Sequence, residues 1–371
     1  MALVKPDLKT FAKIKVLGVG GGGNNAVNTM IQSRQIKGVE FVSINTDAQV
    51  LLACQADTKL QIGDKLTKGL GSGSDPKIGQ QAAEESKEKL QELLFDSDMI
   101  FITCGMGGGT GTGATPIIAE VAKESGALTV AVVTKPFLFE GTRRMVTAEE
   151  GIENLKGKVD TLIVVPNQRL MDVIDKNLTL IEAFKLADGV LMQGVQGIAD
   201  LITSTGLINV DFADVKTIMK DAGTALMGIG SGVGENRAQT AARSAIASPL
   251  LEASIEGAKG VLYNIVGGVD LTMNEVNQAS EIIARSADAD ANIIFGTSID
   301  KDLIDQIKIT VIATGFDETR QRLKDLSTRP IVQATTPGTD PNSPLAKPEL
   351  TEVKDNPGDE FDIPAFLRQG R

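Results

Sequence analysis

Gly107-Gly108-Gly109-Thr110-Gly111-Thr112-Gly113 is a run of only glycine and threonine set between a strand-like and a helix-like segment. The residues before it, Asp98 to Cys104, form a short apolar run with the β-propensity of a buried strand. The residues after it, Ala114 to Ser125, space Pro116, Ile117, Ile118, Ala119, Val121 and Ala122 as an amphipathic helix does. Glycines let a backbone approach a phosphate chain and aim successive N–H groups at it, and the helix N-terminus adds partial positive charge. Thr110 and Thr112 add hydroxyl donors. A flexible linker would carry serine and charge and would lack regular flanks. The run therefore reads as a phosphate cradle in an α/β fold.

Two further glycine clusters lie upstream. Ala12 to Leu17 reads as a first strand entering Gly18-Val19-Gly20-Gly21-Gly22-Gly23-Asn24-Asn25, with a helix over Ala26 to Gln32. Gly18, Gly20 and Gly23 satisfy the GxGxxG pattern of a dinucleotide fold, so a nicotinamide-dependent oxidoreductase is the first rival. Its ribose-binding acid could be Asp47, at the end of a strand over Val39 to Ile44. A one-loop dinucleotide site has no need of residues 107–113, nor of the third cluster, Thr67 to Pro76, with Gly71 and Gly73. Further strands are expected over 127–134 and 161–165. Alternation of strand and helix over residues 12–170 argues a right-handed α/β domain with three loops along one sheet edge.

Composition narrows the chemistry. The 371 residues include no histidine, which removes His–metal sites, Ser–His triads and imidazole bases. A net charge of −11, 4% aromatic residues and no tryptophan disfavour a nucleic-acid partner. Cys54 and Cys104 form no disulfide framework and are expected as buried thiols in a cytoplasmic protein. No signal peptide and no run of 18 apolar residues occurs, so direct membrane insertion is not expected.

A capping box, Thr179-Leu180-Ile181-Glu182, opens a long helix with Phe184, Asp188, Leu191, Val195, Ile198 and Ile202 along one stripe and Gly206 as its stop. Asp188 on that stripe either pairs locally or accepts from a ligand. Beyond it, Asp211 or a neighbour could simply cap a helix running to Asp221. Residues 224–316 read as a second, smaller mixed-sheet region with strands over 260–266, 291–297 and 307–313 and helices over 236–247 and 274–287. From Asp317 the composition is that of a disordered spacer, since seven of the 13 prolines fall between Pro330 and Pro364. The apolar cluster Phe361 to Leu367 then reads as a docking peptide.

In combination these motifs resemble the tubulin/FtsZ family, and its bacterial cell-division branch in particular. Those motifs are Gly20 to Asn25, Asn45-Thr46-Asp47, the 107–113 run, Thr134 to Gly141, Pro166-Asn167, Asn209 to Asp214 and the tail Asp362 to Leu367. The resemblance implies a tubulin-like parallel-sheet GTP-binding domain over 12–178 after a flexible N-terminus (1–11), and a central helix over 179–206. A polymerisation domain (207–316), a disordered linker (317–360) and a docking peptide (361–371) follow. It implies that GTP/GDP is held by Gly20, Gly21, Gly22, Gly23, Asn24, Asn25, Asp47, Gly71, Gly73, Gly105 and all of Gly107, Gly108, Gly109, Thr110, Gly111, Thr112 and Gly113. Glu140 and Arg144 would meet ribose and phosphate, and Asn167, Phe184 and Asp188 the guanine. Mg²⁺ would sit mainly on the phosphates, without dedicated protein ligands. Asn209, Asp211 and Asp214 would be catalytic. Asp362, Ile363, Pro364, Phe366 and Leu367 would dock membrane-tethering and regulatory division proteins at a mid-cell ring. Many relatives carry an arginine where this chain has Thr29, and Ser72, Ser74 and Asp75 depart from the usual third loop.

Once the base contact is accepted, the 17 residues from Asp188 to Thr205 span roughly 25 Å of helix. Asp211 is then too remote for its own chain's γ-phosphate and would act on a neighbour's, in a head-to-tail homopolymer. The acids would orient the attacking water, with Asn209 in support. A GTP-binding scaffold without hydrolysis is the second rival.

Overall fold

The computed structural model describes residues 12–173, 179–203, 208, 210–248, 251, 254–300 and 303–316. Asn209, Gly206 and the whole tail, with Asp362, Ile363, Pro364, Phe366 and Leu367, lie outside the described residues.

The chain begins with β1 (Ile14–Val19), α1 (Gly20–Ser33), β2 (Val39–Asn45), α2 (Ala48–Ala53), β3 (Thr58–Gln61), α3 (Asp64–Thr67), α4 (Pro76–Glu85) and α5 (Lys87–Leu94). Then come β4 (Met99–Gly105), α6 (Thr110–Glu124), β5 (Leu128–Lys135), a 3₁₀ turn (Leu138–Glu140), α7 (Thr142–Lys156), β6 (Thr161–Pro166), α8 (Asn167–Val173) and the long α9 (Leu180–Thr203). The remainder is α10 (Phe212–Met219), β7 (Gly223–Val233), α11 (Arg237–Ile246), β8 (Gly260–Gly267), α12 (Met273–Ser286), β9 (Asn292–Ile299) and β10 (Gln306–Thr314). The strands expected from sequence fall within two residues of those observed.

The described strands form a ten-stranded sheet in the order β3-β2-β1-β4-β5-β6-β7-β10-β8-β9. From β3 to β6 every pairing is parallel. Both faces of this part are buried, which is why its strands read as unbroken apolar runs. In β4, Met99 and Phe101 face the cluster built with α1 and α9, while Ile100, Ile102 and Cys104 face the one built with α4 to α7. A third cluster seats α11 and α12 on β8 and β10.

The two regions share a strand. Gly223 to Ala225 pair in parallel with β6, and from Leu226 to Val233 the same β7 pairs antiparallel with β10. Its Gly228, Gly230 and Gly232 all face α11, where an added Cβ would lie 2.0–2.1 Å from the carbonyl oxygens of Ala245, Ala241 and Arg237. This period-two glycine row lets α11 rest directly on the strand. Arg237, almost fully buried at the start of α11, holds Glu275 at 2.6 Å and Asp270, which ties α11 to α12 and its preceding loop.

Helix α9 departs from the expected stripe. The Thr179–Glu182 capping box is present, with the Glu182 carboxylate accepting from the Thr179 N–H at 2.8 Å. More of the circumference is buried than one stripe allows, because the helix lies between the two parts of the sheet. Ala183, Ala187, Gly194 and Gly197 are buried, whereas Phe184 is 41% exposed. At Gly197 a Cβ would sit 2.7 Å from the Thr310 methyl on β10. No helix among the described residues is long and apolar enough to cross a membrane.

Candidate functional site

The parallel strands all deliver their C-terminal ends to one edge, and a cavity of about 260 Å³ lies there. Gly21 and Gly22 reach it after β1, Gly105, Met106 and Gly108 to Gly111 at the end of β4, Pro136, Glu140 and Arg144 after β5, and Asn167 after β6. Phe184 and Asp188 of α9 close one end, and Ser72 and Ser74 border the other. Of the residues expected to meet base, sugar and phosphate, Gly21, Gly22, Gly105, Gly108, Gly109, Thr110, Gly111, Glu140, Arg144, Asn167, Phe184 and Asp188 line this one cavity.

The glycine clusters are helix N-termini more than loops. Helix α1 begins at Gly20, not Ala26, and α6 at Thr110, not Ala114. Their glycines fall into two kinds. At some positions the protein itself excludes a side chain: a Cβ at Gly23 would meet the Thr103 carbonyl oxygen at 2.3 Å, and one at Gly113 the Pro76 carbonyl oxygen at 1.8 Å. At Gly21 no atom beyond its chain neighbours and its own turn of helix lies within 4 Å of the added Cβ, and at Gly108 only the Arg144 guanidinium edge, at 4.0 Å. The space those two side chains would take belongs to the cavity, as a closely approaching ligand requires.

Several expected contact residues instead lie behind or beside the cavity lining. Asn24 is fully buried, donating to the Gly18 carbonyl at 2.8 Å and accepting from Asn45 at 2.7 Å. Asp47 caps α2, accepting from the N–H groups of Gln49 and Val50. Thr112 accepts from the Gly107 N–H at 2.9 Å, and Gly107 needs its positive φ of 96° to make that turn. Gly20, Gly71 and Gly73 also have positive φ, and Asn25 is exposed at the start of α1. None of these, nor Gly23 or Gly113, lines the cavity, and half-buried Thr29 does not either. Sequence reasoning passed over Val19, Met106, Ala187 and Leu191 as lining residues, since each looks like ordinary core.

At the α9 end, the side-chain carbonyl of Asn167 is buried and has no hydrogen-bond partner. An orphaned acceptor on a cavity wall is a vacancy for a ligand donor. Burial pushes the Asp188 carboxyl up to about 6, so two acceptors converge there. Phe184 meets Phe137 edge-on at 5.6 Å and Phe139 at 6.3 Å, forming an aromatic wall beside them. Glu140 pairs with Arg144 at 2.6 Å and accepts from the Phe137 N–H at 3.0 Å, which holds the guanidinium over the 107–109 turn. The arrangement suits a ligand with N–H donors at one end and an anionic chain along the other.

Asp211 and Asp214 sit elsewhere. Asp211 caps α10, accepting from the Ala213 N–H at 3.4 Å, and both acids are exposed. From Asp188 to the end of α9 at Thr203 the helix alone spans roughly 22 Å. Among the described residues no group of three or more Cys, Asp or Glu converges as a cation site.

The profile described as "Tubulin/FtsZ family, GTPase domain" matches residues 13–175, and "FtsZ family, C-terminal domain" matches residues 223–317. An empty FtsZ dimer from M. jannaschii is 49% identical, covering 82% of this chain and 89% of that one at a TM-score of 0.79. A single-site mutant of the M. jannaschii FtsZ is 48% identical, with 84% and 93% covered and a TM-score of 0.81. CetZ2 from Haloferax volcanii, as a GTPγS-bound protofilament, shares the fold at 19% identity and a TM-score of 0.71, over 85% and 100% of the two chains.

Proposed function

The chain belongs to the tubulin/FtsZ family of filament-forming cell-division GTPases, and from that premise we propose that its GTP site is completed by a second copy of itself. Guanine sits at the α9 end, where its N1–H and N2–H donate to Asp188 and a further donor meets the Asn167 carbonyl. Adenine offers no such donor pair. The phosphates lie across the starts of α1 and α6, against Gly21, Gly22 and Gly108 to Gly111, with Arg144 at the side. Mg²⁺ on the phosphate oxygens supplies charge neutralisation. Asp211 and Asp214 of the neighbouring copy orient and polarise the attacking water, with Asn209 beside them, because phosphoryl transfer asks mainly for positioning and electrostatic stabilisation.

The observation that carries this reading is the placement of the acids. The acids lining the cavity are Glu140, engaged by Arg144, and Asp188, at the base end, while Asp211 and Asp214 stand exposed beyond the far end of α9. A contact that puts one chain's α10 start over the next chain's cavity is heterologous and does not close, so it propagates as a head-to-tail filament. Cutting GTP weakens that contact. The tail peptide, with Asp362, Ile363, Pro364, Phe366 and Leu367, recruits membrane-tethering and regulatory division proteins to a ring beneath the membrane. An oxidoreductase using Gly18, Gly20 and Gly23 is set aside, because the family chemistry is GTP hydrolysis.

The test is Asp211→Ala, assayed for binding and turnover separately. GTP affinity should stay within twofold of the parent while turnover falls at least a hundredfold. Loss of affinity in parallel with turnover would place Asp211 in its own chain's site and contradict the proposal.

A further inference from the structure

Helix α6 starts in the phosphate cradle and carries Lys123 in its last turn, roughly 20 Å from Thr110. Lys123 there bridges two carboxylates, Asp221 at 2.7 Å and Asp160 at 3.3 Å. Asp160, buried just before β6, also accepts from the N–H groups of Thr129 at 2.9 Å and Asp221 at 3.4 Å. Its own carbonyl accepts from the Gly223 N–H at 3.0 Å, and the Thr161 hydroxyl donates to the Met219 carbonyl. These contacts grip the residues that end α10 and turn the chain into β7. Asp221 makes that turn with a φ of 51°, a left-handed conformation uncommon for a residue with a side chain, so the grip holds a geometry that the backbone disfavours.

Packing alone does not fix this end of α10. Val215, Ile218 and Met219 bury its inner face, but a cavity of about 190 Å³ lies beside it, lined by Gly126, Ala127 and Leu128 from the α6–β5 turn and by Lys216 and Lys220 from α10. Beside that gap, the Lys123 ammonium ties the end of α6 to the end of α10. From Asp211 to Lys220 is roughly 13 Å of helix, so a tilt of about 5° at the gripped end moves Asp211 by roughly 1 Å. In a site that works by positioning, a displacement on that scale costs on the order of a hundredfold in rate.

We propose that Lys123 is a positioning residue: through Asp160 and Asp221 it sets the direction of α10 and thereby aims Asp211 and Asp214 at the next chain's GTP. This rests on the reading of a site shared between copies. The opposite route, in which Lys123 acts along α6 on its own chain's phosphate cradle, predicts a different defect.

The test uses the full chain and reads GTP affinity below the assembly threshold and turnover per assembled chain above it. Lys123→Met should keep affinity within about twofold and lower turnover per assembled chain by at least about tenfold. Lys123→Arg, whose guanidinium can engage both carboxylates, should restore it, and the milder Asp221→Asn should fall between. Co-assembly with equimolar Asp211→Ala then locates the defect. Both chains should supply poor acids, so the mixture turns over no faster than the mean of the two alone. If Lys123 served its own cradle instead, turnover would recover toward about a quarter of the parent's rate, the share of head-to-tail contacts pairing an Asp211→Ala nucleotide with Lys123→Met acids. That recovery, a loss of GTP affinity, or unchanged turnover in Lys123→Met whatever its melting temperature would overturn the assignment. Parent turnover per chain that is independent of concentration would instead overturn the shared-site reading.

Discussion

Asn45, the last residue of β2, donates its side-chain amide to the side-chain carbonyl of Asn24 at 2.7 Å, and Asn24 in turn donates to the Gly18 carbonyl at 2.8 Å. Two asparagines thus lock the first turns of α1 to the end of a neighbouring strand. Neither lines the cavity, yet Asn24 stands in the same first turns of α1 as Gly21 and Gly22, which do.

Asn24→Ala removes the side-chain bond to the Gly18 carbonyl and leaves the buried Asn45 amide without its Asn24 acceptor, at a cost of about 2 kcal/mol. Urea unfolding of the nucleotide-free chain should show that loss. Nucleotide affinity should fall as well, because the α1 N-terminus is no longer held. Unchanged stability would mean that water or relaxation replaces both bonds.

Glycines of the two kinds should behave oppositely. Gly21→Ala meets no atom beyond its chain neighbours and its own turn of helix and improves helix propensity, so its melting temperature should equal or exceed the parent's while nucleotide affinity falls tenfold or more. Gly113→Ala forces a methyl to 1.8 Å from the Pro76 carbonyl oxygen and should destabilise by several kcal/mol or prevent folding. Thermal unfolding with and without GDP separates the two effects.

Asp188 sets a pH window for binding. Its carboxyl titrates at about 6 in the empty chain because burial disfavours the charged form, and guanine N–H donors favour that form. GDP affinity should therefore be full above pH 7 and fall as the pH drops through 6. The same raised pKa works the other way on folding: below pH 6 the neutral acid no longer opposes it, so this group's stability contribution rises as pH falls. Asp200 also titrates near 6 through burial, so Asp188→Asn is the control. That variant should bind GDP more weakly and lose the pH dependence between 5 and 7, measured by isothermal titration.

Much of this was legible in the sequence because buried parallel strands read as plain apolar runs and because the 107–113 run allows few uses. Strand β7 was not, since Gly228, Gly230 and Gly232 look like a loop until α11 is seen resting on them. Helices α4, α5 and α7 were missed as charged surface segments with short apolar faces. The early starts of α1 and α6 were hidden for a related reason: glycine argues against helix, and only the close approach of Gly23 to Thr103 and of Gly113 to Pro76 explains its presence there. Asp188 could be picked out as an acid on an apolar stripe, but the orphaned Asn167 carbonyl and the bridging of Asp160 and Asp221 by Lys123 exist only in three dimensions.

The central claim is that a chain's GTP is cut with acids from the next chain. GTP turnover per chain, measured across a protein concentration series, tests it most directly. The account predicts almost no turnover below a threshold concentration, a steep rise above it, and a flat line near zero for Asp211→Ala at every concentration. Turnover per chain that stays constant from the most dilute sample upward would contradict it.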